Sequence, residues 1–166
     1  MSGGSDSGLG WFPTQLWIDG RWRPADSGRT FPVEDPATGK IIAEVPLAGR
    51  AEAVAAVEAA ARAKSPWRRQ SPEKRSEYLQ RIRQLLLEYR ERLAQLLVAE
   101  KGAPLDQCRG EVDYAADFFR WYAEEARRIY GRTIPHPDPS RRLRVEYFPV
   151  GVVGAITPWN GPLGSA

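Results

Sequence analysis

Apolar residues along this chain recur first at the spacing of short strands, then at that of helices, and last in a run that is apolar on both faces. In LWIDGRWR, Leu16, Ile18 and Trp22 flank Asp19-Gly20, a dipeptide that accepts the positive φ angles of a tight turn, so residues 16–23 predict a β-hairpin. Asp35-Pro36-Ala37-Thr38-Gly39 supplies a second turn between Phe31-Pro32-Val33 and Ile41-Ile42-Ala43-Glu44-Val45, two further strand-like segments. Past Gly49 the period lengthens: Val54, Val57 and Ala61 repeat at helical spacing, with Glu52 in the first turn where it complements the helix dipole.

Ser71-Pro72-Glu73 predicts a second helix start, with a capping hydroxyl, a proline at the first helical position and an acidic residue behind it. The apolar stripe Leu79, Ile82, Leu85, Leu86, Tyr89, Leu93, Leu96 and Leu97 extends that helix unbroken to about Glu100, before Gly102 and Pro104 end it. A third helical pattern runs through Val112, Ala115, Ala116, Phe119, Tyr122, Ala123, Ala126, Ile129 and Tyr130, with Gly131 placed for a left-handed cap. Pro135, Pro137 and Pro139 then argue against regular structure, and Leu143-Arg144-Val145-Glu146-Tyr147 alternates as a half-exposed strand does. Val150 to Ile156 is apolar throughout, as suits a parallel strand covered on both sides, yet the neighbouring strands and crossover helices it needs do not precede it.

Composition narrows the partners. The 24 basic and 21 acidic residues leave a formal charge of only +3, and the charges alternate along helical stretches, which excludes a polyanion-binding face and with it a nucleic-acid partner. Cys108 is the single cysteine and His136 the single histidine, so neither a disulfide framework nor a transition-metal site is expected. The opening residues carry neither the basic flank nor the apolar stretch of a secretory signal, and no later run approaches membrane-spanning length. The expectation is a cytoplasmic protein without a membrane partner, preceded by a mobile tail over residues 1–15.

The stretch with most chemical content is Ile156-Thr157-Pro158-Trp159-Asn160, directly after the apolar run. In open α/β sheets ligands bind beyond the carboxyl ends of strands, so an amide here can point into a crevice for cofactor or substrate. Equally, Pro158 can simply end the strand and Asn160 cap a following helix. Gly151 and Gly154 are no phosphate cradle, because no helix start follows them at dinucleotide-binding spacing. His136, between two prolines, is assigned no role.

Taken in order, IDGRW, DPATGKIIAEVPLA, SPEKRSEYLQRI, EVDYAADFFRWYAEEARRIYGRTIP and PVGVVGAITPWN resemble the aldehyde dehydrogenase superfamily, nearest its succinate-semialdehyde-dehydrogenase-like members. The resemblance implies an α/β fold, of which this chain is the incomplete opening part: lead β-hairpins, a helical layer and the first strand of a Rossmann-like parallel sheet. In these terms residues 16–131 begin the cofactor-binding domain, 132–149 form a proline-rich crossing and oligomerisation strand, 150–160 carry the first strand of the cofactor-binding sheet, and 161–166 are an atypical tail.

The resemblance further implies oxidation of an aldehyde to a carboxylic acid with NAD or NADP, in a full-length homo-oligomer (dimer or tetramer). Asn160 matches the family's oxyanion asparagine, and Ile156, Thr157, Pro158, Trp159 and Asn160 match the segment beside the cofactor. The catalytic cysteine and general-base glutamate have no counterpart here, since Cys108 precedes the family's catalytic segment, so the chain alone is expected to be inactive. Glu111 and Asp113 fall near positions that in some members serve a monovalent-cation site, although on spacing they read as ordinary helix-surface carboxylates. Ala103 stands where a lysine is usual. The other reading of the amphipathic stripes is a stand-alone, non-catalytic helical interaction module built from the same opening segment.

Overall fold

A computed structural model describes residues 10–165. Residues 1–9 of the expected mobile tail, and Ala166, lie outside the described residues. The described residues form three antiparallel hairpins and four helices. β1 (Leu16–Ile18) pairs with β2 (Arg21–Arg23), and Asp19 and Gly20 both take positive φ, at 55° and 74°, as a mirror-image two-residue turn requires. β3 (Thr30–Glu34) pairs with β4 (Ile41–Pro46). Their turn is held by Asp35, whose carboxylate accepts from the Ala37 amide at 2.8 Å and the Thr38 hydroxyl at 2.9 Å.

α1 (Arg50–Arg68) starts at Gly49 with a capping residue that does more than complement the dipole. The buried Glu52 carboxylate accepts the Gly49 amide at 2.7 Å and, across the fold, the Asp26 amide at 2.6 Å. These backbone donors hold its carboxyl below the usual glutamate range. The predicted apolar face of α1 stays open, with Val54 and Val57 exposed.

The second predicted helix is two helices, α2 (Pro72–Glu88) and α3 (Arg90–Lys101). Tyr89 sits between them at φ −95°, ψ 12°, off helical geometry, although its amide and carbonyl still bond to Leu85 and Leu93. The bend lets both halves lie on α4 (Leu105–Glu125), and tertiary contacts at the break hold it: Trp11 stacks on Tyr89 with ring centroids 6.2 Å apart, and Arg90 binds Asp113 of α4. Periodicity alone could not show this, because the stripe keeps its phase through the bend. Small buried residues, Ser76 on α2 and Ala115, Ala116 and Ala123 on α4, permit close approach of the two helices. The core is centred where α3 meets α4, at Ala94, Leu97, Cys108 and Val112.

Beyond α4 three expectations are corrected. The helix ends at Glu125, leaving Ile129 and Tyr130 exposed, and Gly131 is not its left-handed cap. A Cβ at Gly131 would lie 2.5 Å from the Val145 carbonyl oxygen, so glycine is there for close approach of two strands. Those strands are β5 (Arg132–Pro135) and β6 (Arg142–Val145), an antiparallel pair. The prolines therefore do not exclude a strand: Pro135 closes β5 at its last position. Finally, Val150 to Ile156 forms no strand, and Val150 and Ile156 are fully open to solvent at 91% and 103% exposure. A parallel strand is held by its neighbours, and the described residues supply none. No helix among the described residues is long and apolar enough to cross a membrane.

Candidate functional site

Residues 156–160 form the exposed end of an irregular segment, turning at Trp159 and Asn160. Trp159 is 78% exposed, and among the described residues the peptide groups of Ile156, Thr157 and Pro158 make no backbone hydrogen bond. Open peptide groups of this kind are satisfied by water or by a ligand. The Thr157 hydroxyl and the exposed Asn160 amide lie in the same stretch. The five residues assigned from sequence are thus accessible, and none of them lines a described cavity.

The turn at Asn160 is tied to a largely buried ion pair. Lys101, the last residue of α3, and Glu111, in the second turn of α4, form a salt bridge with side chains only 9% and 11% exposed. The Lys101 ammonium also donates to the backbone carbonyl of Asn160 at 2.9 Å. Glu111 accepts, through its other oxygen, the backbone amide of Leu163 at 3.2 Å. From Gly161 to Ser165 the chain makes a single turn, Ser165 donating to the Gly161 carbonyl at 3.1 Å, and Leu163 packs against the core cluster. Gly164 lies against the Tyr114 ring, where an added Cβ would come within 3.1 Å. Asn160 is engaged through its main chain, and its exposed side-chain amide has no hydrogen bond among the described residues.

Glu111 is therefore not a surface carboxylate, and Lys101 drew no attention from sequence at all. The signal that could have found them is their placement on either side of the Gly102–Pro104 turn. Gly102 takes φ 72° and reverses the chain, which returns the start of one helix to the end of the previous one. Asp113 faces a different partner, accepting from Arg90 Nε at 2.6 Å and from a second guanidinium nitrogen at 2.7 Å. That guanidinium keeps the Asp113 carboxyl below its ordinary range.

Cys108 is wholly buried, with its sulfur 3.6 Å from the Ala103 carbonyl oxygen, and burial pushes its thiol pKa up. A nucleophilic thiol needs the opposite shift and an open approach. His136 accepts the Asp138 amide at 3.0 Å and so stabilises its own turn. Near the site, a cleft of about 260 Å³ lies between Leu79, Ala115, Phe119 and Leu163.

Residues 22–166 match the family model described as "Aldehyde dehydrogenase family". The chain is 52% identical over 148 residues to a "3-sulfolactaldehyde dehydrogenase" of Pseudomonas putida, covering 89% of this chain and 30% of that protein. Over 158 residues it is 42% identical to a "Succinate-semialdehyde dehydrogenase [NADP(+)]" of Escherichia coli K12, covering 95% of this chain and 32% of that protein. A solved structure of succinate-semialdehyde dehydrogenase from Burkholderia pseudomallei superposes with a TM-score of 0.90 at 41% identity, over 99% of this chain and 34% of the other. The chain spans about a third of the length of the relatives it matches. With agreement in both sequence and fold along nearly its whole extent, the chain belongs to the aldehyde dehydrogenase family.

Proposed function

We propose that this chain supplies the opening third of an NAD- or NADP-dependent enzyme that oxidises an aldehyde to a carboxylic acid, and that Asn160 is its oxyanion donor. The observation that carries the reading is the state of Asn160: its main chain is tied down through the carbonyl while its amide stands open. A donor held in place before charge develops is what stabilises an aldehyde oxygen as it turns negative under attack by a thiolate. Ile156, Thr157, Pro158 and Trp159 would lie along the cofactor, which when bound accepts the hydride. This chain's part is to orient ligand edges through open peptide groups and to aim one amide.

The relatives support one substrate class. Those named for 3-sulfolactaldehyde, glutarate semialdehyde and succinate semialdehyde are named for aldehydes that carry a second, anionic group. We assign this chain's enzyme the same class, a small aldehyde bearing a remote carboxylate or sulfonate. The β5–β6 hairpin, with Leu143 exposed, would serve contact between copies, and the lone buried cysteine fits a reducing cytoplasm.

The 166-residue chain alone is expected to oxidise nothing, because it presents no accessible thiol. The deciding experiment uses the longer enzyme, read on past residue 166. Its kcat/KM is measured with either nicotinamide cofactor for succinate semialdehyde and for butanal, and again after Asn160→Ala. Preference for the anionic aldehyde, and a loss of about 100- to 1,000-fold in kcat on removing the amide, are expected. Undiminished turnover by Asn160→Ala would overturn the assignment.

A further inference from the structure

We propose that Lys101 and Glu111 are positioning residues for the Asn160 amide, acting as a two-point clamp on the turn that carries it; this rests on the oxyanion reading given above. The two ties hold the asparagine itself and the chain just after it. One is the ammonium on the Asn160 carbonyl, 59 positions away in sequence, and the other is the carboxylate on the Leu163 amide, 52 positions away. Between Val145 and Asn160 the described chain has no strand or helix, and among the described residues the hydrogen bonds that the helices make to Asn160 and the turn after it are these two ties.

The clamp is stiff for three reasons. The ion pair at its base is largely shielded from water, where such a pair is least screened. It is mounted on the end of one helix and the start of the next, joined by a short turn. Leu163, seated against the core cluster, adds an apolar anchor beside the carboxylate tie. Simple stabilisation would not call for this arrangement, since a buried pair is matched or exceeded in stability by apolar residues of similar volume. What apolar residues cannot do is hold a peptide carbonyl and a peptide amide at defined points. An oxyanion donor needs such placement, because a displacement of about 1 Å can cost about 100-fold in rate.

The test separates fixing the turn from stabilising the fold by means of the double variant Lys101→Met with Glu111→Leu, which removes the ties and leaves no lone buried charge. In the 166-residue chain, exchange of the Leu163 backbone amide is expected to rise at least about 10-fold while the unfolding midpoint stays near that of the parent. In the longer enzyme the same variant is expected to lose about 10- to 100-fold in kcat with little change in aldehyde KM, the signature of a contact that matters in the transition state only. Lys101→Arg, which retains a cation for both partners, is expected to restore most of the rate. Unchanged Leu163 exchange would overturn the clamp, even if the longer enzyme proved unstable. Unchanged kcat in the double variant, alongside an impaired Asn160→Ala, would overturn positioning alone. Unchanged kcat in both would remove the oxyanion reading itself.

Discussion

The guanidinium of Arg90 and the carboxylate of Asp113 meet in a two-pronged ion pair, at 2.6 Å and 2.7 Å, across the contact between α3 and α4. Arg90 is the first residue after the bend at Tyr89, so this pair sets the direction in which α3 departs. Asp113 is held below its ordinary pKa by that guanidinium, which makes its contribution present above the unfolded aspartate range and lost as pH falls through the folded value. Because the side chains are 37% and 47% exposed, the contribution is below about 1 kcal/mol. Urea midpoints of the parent and Asp113→Asn should therefore differ near pH 7 and converge only as pH falls below the ordinary aspartate range, through the lowered folded pKa.

Glu52 joins the first hairpin region to α1 through the amides of Asp26 and Gly49. Its carboxyl is also held low, by backbone donors in this case, so the link likewise weakens as pH falls through its folded pKa. Glu52→Gln keeps one acceptor oxygen and loses the second. Hydrogen exchange at Asp26 and Gly49 should show one of the two amides deprotected, with the α2–α4 interface unaffected.

Gly131→Ala should destabilise the protein by about 1 to 3 kcal/mol, since the added methyl meets a strand carbonyl with no flexible side chain to yield. The loss should appear first as faster exchange in β5 and β6. Gly110→Ala, where an added Cβ meets nothing within 4 Å, is the control expected to leave stability intact or improve it.

Cys108 should resist an aromatic disulfide reagent at about pH 8 until denaturant opens the core, because burial keeps it protonated and out of reach. Rapid reaction in the native state would contradict the packing described. Cys108→Ala should cost about 1 kcal/mol from the lost buried sulfur.

The local elements were legible wherever the cause was local. Asp19-Gly20, the Asp35 turn, the Ser71-Pro72 start and the Gly102 stop each act within a few residues, and each appears as predicted. What failed to show was decided at a distance. The bend at Tyr89 answers to Trp11 and Asp113, and Gly131 answers to Val145. The segment from Val150 to Ile156 has a strand's composition without a strand's neighbours. At the proposed site, the five residues from Ile156 to Asn160 stand together in the sequence simply because they follow one another. Their anchor at Lys101 and Glu111 was not legible, because a buried pair made between two helices leaves no periodic trace.

α4 is 21 residues long, roughly 30 Å of unbroken spiral, and nearly every tie described above is counted off along it: Cys108, Glu111, Val112, Asp113, Ala115 and Ala123 in turn. It works as a ruler whose divisions are angles. One residue inserted after Cys108 would swing every later mark by roughly 100°, carrying Glu111 away from Lys101 and Asp113 from Arg90 at a stroke. Surface loops can vary in length without disturbing these contacts, but this helix cannot change its count without releasing the Leu163 amide from Glu111.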